Sequence, residues 1–166
     1  MGDNKNLSSW RAIEKIKELG KEISVCMFGT YEKGKLFTRP MSTQQIDDEG
    51  NLWFLSDKSS MKNDQILKDS KVELIFSHGN DKFLALHGNA SISYDKEKIK
   101  ELWNPIAKIW FQEGVKDPRI SIIKVSYQDG YYWDTKHGRM VELALMAAAL
   151  ISGKTMDDGI EGSLKK

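Results

Sequence analysis

Two short segments carry side chains that suit an anionic ligand, and the first is Thr38-Arg39-Pro40-Met41-Ser42. A proline within a predicted strand cannot donate to a neighbouring strand, so it belongs at an edge, at a bulge or against a ligand. Arg39 beside it offers a planar set of donors that matches a phosphate or a carboxylate. The alternative interpretation is an edge strand whose arginine forms a surface salt bridge.

The second segment is Ser56-Asp57-Lys58-Ser59-Ser60-Met61-Lys62, which follows a predicted strand and begins a predicted helix. Helix N-terminal amides, serine hydroxyls and two lysines are together the groups of an anion site. The alternative is an ordinary serine N-cap with exposed lysines. Because Trp53 and Phe54 stand beside this segment, the two segments together favour a flat, phosphorylated cofactor against an apolar wall.

Other motifs point to no further chemistry. The segment Gly29–Leu36 nearly matches a phosphate-binding P-loop, but Leu36 stands where Ser or Thr would bind magnesium. The segment also leads into an apolar strand, so we interpret it as a hairpin turn. No metal site is predicted, because Cys26 is the single cysteine and the three histidines are scattered along the chain.

The composition indicates one globular domain. The chain has 166 residues, 25 Lys and Arg against 24 Asp and Glu, and 40% apolar residues. This near-neutral charge argues against a dedicated nucleic-acid binder and against polybasic docking to membranes. No apolar stretch is long enough to span a bilayer. The lone Cys26 and the lack of a signal-like segment predict a reducing, cytoplasmic location.

Three helices are predicted before residue 107. A first helix is predicted by apolar residues at helical spacing, with Ser8 or Ser9 as its cap and Gly20 as its end. Those apolar residues are Trp10, Ile13, Ile16 and Leu19. A second helix is predicted over residues 59–70 with Ile66 and Leu67 facing inward, and a third, capped by Asp95, carries Ile99, Leu102, Trp103 and Ile106.

Strands are predicted over residues 23–31, 36–46, 52–55, 72–77, 83–94 and 120–127. Gly88 suggests a bulge or a close approach, and Asp129-Gly130 suggests a tight turn into a short strand over residues 131–133. A last apolar helix over residues 141–151, closed by Gly153, completes one domain of residues 1–153, followed by a loose polar tail of residues 154–166. Turn-linked strands without regular βα units predict an antiparallel barrel with added helices.

Short motifs follow one another along nearly the whole chain. They are Arg39-Pro40-Met41, Asp48-Glu49-Gly50-Asn51-Leu52-Trp53-Phe54, Ser60-Met61-Lys62, Lys71-Val72-Glu73-Leu74, Leu86-His87-Gly88-Asn89-Ala90, Leu102-Trp103-Asn104-Pro105, Trp110-Phe111-Gln112-Glu113-Gly114, Asp117-Pro118, Tyr132-Trp133-Asp134 and the apolar helix over residues 141–153. This ordered set resembles the general stress protein 26 family, within the pyridoxamine 5'-phosphate oxidase-like, FMN-binding split-barrel proteins. The resemblance implies a mainly β fold, a six-stranded antiparallel split β-barrel, and a homodimer with FMN in clefts at its interface.

The resemblance also implies which residues hold the cofactor. Arg39, Pro40, Met41 and Ser42 would run along the flavin, with Arg39 either assisting at the phosphate or contacting the ring. Phe54, Leu55 and Ser56 would continue the cleft, Ser60, Met61 and Lys62 would hold the phosphate, and Trp110 and Trp133 would either close the cleft from the partner subunit or serve in packing. These roles agree with the chemistry, because a phosphate dianion needs cations and hydroxyl donors and a flavin ring needs an apolar wall.

The function implied is that of a stress-response protein acting as an FMN-dependent oxidoreductase on an unknown substrate. The Arg-x-His segment of true pyridoxamine phosphate oxidases is not found, and Lys136-His137-Gly138-Arg139 has those residue types in another order. Vitamin B6 oxidation is therefore not expected. Two alternatives stay open: a non-catalytic flavin-binding or redox-sensing module, and a haem- or deazaflavin-binding protein on the same barrel. No residue stands out as a catalytic acid or base.

Overall fold

One β-sheet of ten strands dominates the computed structural model, which describes residues 3–79, 81–135 and 159–166. In chain order the strands are β1 (Asp3–Asn4), β2 (Leu7–Ser8), β3 (Val25–Glu32), β4 (Lys35–Ser42), β5 (Gln45–Ile46), β6 (Leu52–Asp57), β7 (Lys71–His78), β8 (Lys82–Ser93), β9 (Ile120–Thr135) and β10 (Gly159–Lys165). The described helices are α1 (Ser9–Ile23), α2 (Met61–Lys68) and α3 (Lys96–Leu102), with 3-10 turns at Pro105–Ile109 and Gly114–Lys116. The chain is therefore mainly β with a few helices.

The main path of the sheet is antiparallel, in the order β4–β3–β7–β8–β9–β6. The long strand β9 has β8 along one side, and its other side pairs first with β6 and then with β10. The sheet differs from the expected six-stranded barrel, because β1 and β2 run parallel to β10 and β5 extends β6. In the described chain β4 is an edge strand that does not pair with β6, so the sheet is not closed.

The main core packs α1 against the sheet. Of the predicted apolar face, Ile16 and Leu19 are fully buried and Ile13 packs against the core, but Trp10 is 61% exposed. Ala12, which was not predicted, is also fully buried on this face. From the sheet, Phe28 and Phe54 meet edge to face with ring centroids 5.1 Å apart. Such aromatic pairs add about 0.5–1.5 kcal/mol beyond the burial of their area.

Two predictions about the helices are wrong for reasons of packing. Gly20 does not end α1, which continues to Ile23. A Cβ at Gly20 would collide with the Ile46 side chain, so glycine here permits close packing of α1 on β5. In α2, Ile66 is buried as predicted, but Leu67 is 71% exposed because only one face of that short helix meets the sheet.

Glycines let β8 and β9 approach closely. The predicted irregularity at Gly88 is confirmed, because the register shifts between His87 and Gly88. The predicted turn at Asp129-Gly130 is wrong, since β9 runs through both residues. A Cβ at Gly130 would lie 2.5 Å from the carbonyl oxygen of Ala85, so this glycine serves close strand contact instead.

The C-terminal residues 159–165 form β10 along β9 and bury Leu164, so this part of the tail is not loose as expected. Its backbone pairs over seven residues, which explains why a polar segment is ordered here. The predicted helix over residues 141–151, Gly153 and the proposed domain boundary lie outside the described residues. Within the described part, the helices are all too short or too polar to cross a membrane.

Candidate functional site

A cavity of about 400 Å³ opens between the β4 edge and β6, beside the start of α2. Small-molecule sites occupy roughly 300–1,000 Å³. The segment 104–111, which contains the first 3-10 turn, supplies the remaining wall. The described lining residues are Arg39, Pro40, Met41, Ser42, Gln44, Leu55, Ser56, Asp57, Lys62, Asn104, Ile106, Ala107, Trp110 and Phe111.

The β3–β4 hairpin explains why a proline is tolerated in the cavity wall. Lys33 and Gly34 form its two-residue turn with φ of 49° and 76°, as a type I′ turn requires, so the hairpin interpretation of this segment is confirmed. Counting pairs from this turn, Pro40 lies opposite Met27 at a non-hydrogen-bonded position. Its missing N–H therefore costs no bond to β3, and its carbonyl points towards the open edge beside the cavity.

Arg39 places in the cavity wall a cation that no carboxylate neutralises within the described residues. Its guanidinium donates to the Phe28 carbonyl at 3.3 Å, the Thr30 hydroxyl at 2.6 Å and the Gln65 side-chain oxygen at 3.1 Å. Burial lowers the pKa of Arg39, yet a guanidinium stays protonated in proteins. The surface salt bridge of the alternative interpretation is therefore not found in this part of the chain, and the charge is free to meet an anion.

Lys62, in the first turn of α2, brings a second cation to the same cavity. Among the residues that the structure describes, it forms no hydrogen bond or ion pair. Burial and the positive charge of Arg39 lower its pKa, while the charge of Asp57 opposes that shift. Two like charges repel each other, and an anion between them would relieve this repulsion. Arg39 and Lys62 together thus make one end of the cavity positive.

Asp57 is the carboxylate of the cavity wall, and other groups already engage it. One oxygen accepts from the Ser59 hydroxyl at 2.7 Å and from the Ser59 N–H at 2.9 Å. The other oxygen lies 3.6 Å from the guanidinium of Arg119. These contacts, Ser59 first, lower the pKa of Asp57 and keep it ionised. Its close partners are Ser59 and Arg119. It interacts with Lys62 through space but forms no ion pair with Lys62 or Arg39.

A buried ring of hydrogen bonds fixes the start of α2 at the cavity. Ser56 donates to the side-chain oxygen of Asn63 at 2.8 Å, Asn63 donates to the Ser121 hydroxyl at 2.8 Å, and Ser121 donates to the Ser56 carbonyl at 3.0 Å. These side chains are at most 3% exposed. Ser60 stands at the N-cap but makes no capping bond through its side chain. The partial positive charge of the helix start is therefore not offset by a side-chain cap.

The apolar wall comes from the segment 104–111. Ile106 and Trp110 line the cavity although they are 65% and 62% exposed, and Phe111 is buried beneath them. Arg119 donates to the Trp110 carbonyl at 3.2 Å and is paired with Asp117 at 2.8 Å. This anchor holds the segment in place. Trp110 was expected either to close the cleft from the partner subunit or to serve in packing, and it lines the cavity of its own chain.

The structure brings eight of the twelve predicted site residues to this cavity, namely Arg39, Pro40, Met41, Ser42, Leu55, Ser56, Lys62 and Trp110. The other four are not among its described lining residues. Phe54 turns into the core against Phe28, because alternate residues of β6 are buried there. Ser60 helps to hold Asn63, and Met61 is 62% exposed. Trp133 stacks on Tyr131 in the half of β9 that pairs with β10.

Two amide side chains that were not predicted also line the cavity. Asn104 donates to the side-chain oxygen of Gln44, and Gln44 donates to the Ser42 carbonyl at 2.9 Å. Asn104 also caps the first 3-10 turn by accepting from the Ala107 N–H at 3.1 Å. The Asn104-Pro105 pair was the available signal, since Asn followed by Pro is typical of a helix start. Its partner Gln44 lies 60 residues away in the sequence, so no local pattern predicts this contact.

The described residues contain no group of three or more side chains that could hold a metal ion. His87 lies on the outer surface at 2.8 Å from Asp129 and does not line the cavity. Cys26 is buried behind β4, and burial raises the pKa of its thiol to about 12. The described site is therefore built from two cations, one carboxylate already engaged by other groups, hydroxyls, amides and an apolar wall.

Comparisons with known proteins identify the family of the chain. The family model described as pyridoxamine 5'-phosphate oxidase like matches residues 11–157. The chain is 26% identical over 131 residues to the protein bli-3 of Neurospora crassa, covering 73% of this chain and 63% of that protein. It thus spans less than two thirds of that relative's length.

Solved structures share the fold. A structure named as a general stress protein 26, from Jannaschia sp. CCS1, superposes with a TM-score of 0.75 at 24% identity and covers 95% of this chain and 100% of that one. The general stress FMN/FAD binding protein of Xanthomonas citri superposes with a TM-score of 0.66 at 25% identity, covering 78% of this chain and 93% of that one. With the family model spanning most of its length, the chain belongs to the pyridoxamine 5'-phosphate oxidase-like family.

Proposed function

We propose that this chain binds FMN in the cavity between β4 and β6 and acts as a flavin-dependent oxidoreductase. The observation that carries the proposal is the pair Arg39 and Lys62, two cations that face one cavity without a carboxylate partner in the described chain. A phosphate monoester carries nearly two negative charges at neutral pH and three acceptor oxygens, which suits such a pair. The flavin-binding relative in Xanthomonas citri supports the same choice of ligand.

Each wall of the cavity has a role in this proposal. Lys62, Arg39 and the start of α2 would hold the phosphate, with the Ser56 hydroxyl nearby. Met41, Leu55 and Trp110 would cover the flavin ring, and the open backbone edge of β4 would meet its polar rim. The bound flavin would supply the redox chemistry, while the protein orients it and excludes water.

The proposal includes a homodimer built on a six-stranded antiparallel barrel of β3, β4 and β6–β9. Val25, Met27 and Ile75 are 48%, 42% and 43% exposed. Met27 pairs with both Ile75 and Pro40 across the sheet, so this apolar face reaches the cavity rim. An exposed apolar patch of this kind is typical of an interaction surface. Sedimentation of the flavin-loaded protein should give a dimer, and a stable monomer that retains FMN would contradict an interface cleft.

Flavin binding is tested on the purified protein. We expect the flavin absorbance bands in the freshly purified protein, and we expect the flavin-free protein to quench added FMN fluorescence in a saturable way. A protein that carries no flavin and leaves FMN fluorescence unchanged would overturn the proposal. A red protein would instead favour haem, although neither His78 nor His87 lines the cavity.

Turnover is tested separately from binding. The described cavity residues offer Arg39, Asp57 and Lys62 as titratable groups, and hydride transfer to a flavin needs no acid or base from the protein. Anaerobic NAD(P)H should bleach the bound flavin rapidly if the chain is a reductase. Slow or absent bleaching with tight binding would favour the non-catalytic flavin-binding or redox-sensing module. The lone, buried Cys26 suits the reducing cytoplasm that we propose as its location.

A further inference from the structure

We propose that Gln65 and Thr30 are positioning residues that hold Arg39 towards the ligand while leaving its charge uncompensated. This inference rests on the proposed function, because it concerns the phosphate end of the same cavity. Neither residue lines the cavity, and neither was predicted as a site residue. Gln65 is 1% exposed and Thr30 is fully buried, so both lie beneath the cavity wall.

The contacts form a small closed network. Arg39 donates through one nitrogen to the Thr30 hydroxyl at 2.6 Å and through the other to the Gln65 oxygen at 3.1 Å. Thr30 donates its own hydroxyl proton to the same Gln65 oxygen at 2.5 Å. Two neighbouring elements, β3 and α2, thus fix the plane of the guanidinium. Its remaining N–H groups form no hydrogen bond with the described residues, and Arg39 lines the cavity.

The orientation of the Gln65 amide follows from its neighbours. Its oxygen receives two donors, and its nitrogen lies 3.4 Å from the Glu32 carboxylate. A flipped amide would set N–H groups against both Arg39 and Thr30, and an oxygen against Glu32. Gln65 therefore separates the negative Glu32 from the positive Arg39. Glu32 is also 3.4 Å from Lys68, so its charge is directed to the outer end of α2.

A neutral acceptor at position 65 matters because a glutamate has the same size and would set a charged oxygen against Arg39, although its second oxygen would face Glu32. The guanidinium of Arg39 would then form an internal ion pair, and a phosphate would have to compete with it. With glutamine, the protein orients the cation without neutralising it. The chemistry of residue 65 should thus decide how strongly the cavity prefers a phosphorylated ligand over the same ligand without phosphate.

Gln65→Glu tests this directly with two flavins, FMN and riboflavin, titrated into the flavin-free protein. Wild type should bind FMN more tightly than riboflavin, because only FMN carries the phosphate. Gln65→Glu should weaken FMN binding by about tenfold or more, since an internal carboxylate replaces the ligand's anion. Riboflavin affinity should change little. The matched control is Gln128→Glu, the same chemical change at an exposed position of β9, which should leave both affinities unchanged.

Two further variants keep the test decisive if a buried glutamate prevents folding. Gln65→Met and Thr30→Val remove acceptors without adding charge, and each should lower the FMN-to-riboflavin preference by a smaller factor while far-UV circular dichroism stays native. An unchanged preference in the folded variants would overturn the positioning role and leave FMN binding intact. A wild type that binds both flavins equally, or neither, would instead contradict the proposed phosphate site itself.

Discussion

Two arginines serve the cavity, and their partners differ in charge: Arg39 lines it, whereas Arg119 contacts two of its lining residues, Asp57 and Trp110. Arg39 donates to a carbonyl, a hydroxyl and an amide oxygen, all neutral. Arg119 donates to Asp117 through two nitrogens at 3.1 and 2.8 Å and lies 3.6 Å from Asp57. The Asp117 carboxylate is buried, and its pKa is held low chiefly by Arg119. Among residues 3–79, 81–135 and 159–166, one guanidinium has a carboxylate partner and the other has none.

This difference separates an arginine that supports the backbone from one that is available to bind a ligand. A compensated arginine fixes backbone, and Arg119 does so through the Trp110 carbonyl. An uncompensated, partly buried cation is unfavourable for the empty protein, because burial penalises its charge. Such an arrangement is typical of a site that an anionic ligand completes. The same residue type therefore has opposite energetic roles in the cavity wall and in the structure that supports it.

The largest expected effect is on ligand affinity when Arg39 is replaced. Arg39→Met should weaken FMN binding by about 1.5–3 kcal/mol, roughly 10- to 150-fold, because a charge-assisted hydrogen bond to the phosphate is lost. The thermal midpoint of the empty protein should stay the same or rise, since a desolvated cation is removed. Fluorescence titration and thermal melting measure the two quantities. Unchanged affinity here and in Lys62→Met would remove both residues from the site.

Replacing Arg119, the arginine paired with a carboxylate, should lower stability more than ligand affinity. Arg119→Met leaves the buried Asp117 carboxylate without its cation and releases the Trp110 carbonyl. We expect a lower thermal midpoint and less than about a tenfold change in FMN affinity. Lys116→Met, an exposed cation of the second 3-10 turn, is the control for loss of charge. A large loss of affinity at native stability would show that Arg119 also recognises the ligand.

The smallest effect is a pH dependence from Lys62. In the protein without ligand, burial and the charge of Arg39 lower the pKa of Lys62 below the ordinary lysine value of 10.5. A bound phosphate should raise this pKa again. The contribution of Lys62 to affinity is then complete below its free-state pKa and is lost as pH rises through the bound-state value. On the acid side, affinity should rise as the phosphate takes its second charge near pH ~6.

Lys62→Arg sharpens this profile. A guanidinium does not deprotonate in this pH range. The part of the alkaline loss of FMN affinity that comes from deprotonation of Lys62 should therefore move to higher pH. Titrations of FMN at fixed ionic strength across the pH range give the measurement. If wild type and Lys62→Arg show the same alkaline limb, Lys62 does not carry the charge that the phosphate meets.

The sequence predicted most strands and helices because their signals are local. The apolar spacing of α1, the Asp95 cap and the hairpin at Lys33-Gly34 each need only neighbouring residues, and all three are confirmed. The Asp129-Gly130 turn was wrong because a glycine that permits a close strand approach looks the same in sequence as one that permits a turn. Only the partner strand β8 distinguishes the two.

The candidate site was predictable to a similar depth. Arg39 and Lys62 could be predicted because their residue types suit a phosphate. The lack of a carboxylate ion pair for either of them in the described chain could not be predicted from the sequence. Gln65 forms hydrogen bonds with Arg39, 26 residues away in the sequence, and with Thr30, 35 residues away. No local sequence pattern therefore identifies Gln65 as part of the site. Phe54 was included because the resemblance carried it over with Leu55 and Ser56. It lies on the same buried face of β6 as Ser56, which lines the cavity, so strand alternation alone does not separate the two.

Pro40 has a consequence for the solubility of the empty protein. β4 is an edge strand with its outer backbone unpaired in the described sheet, and a row of free N–H and C=O groups is a template for another chain's strand. Pro40 lies midway along the outward-facing positions of Thr38, Pro40 and Ser42, where it removes one donor from that row. The residue that lines the proposed ligand site therefore also discourages aggregation of the protein through the same edge.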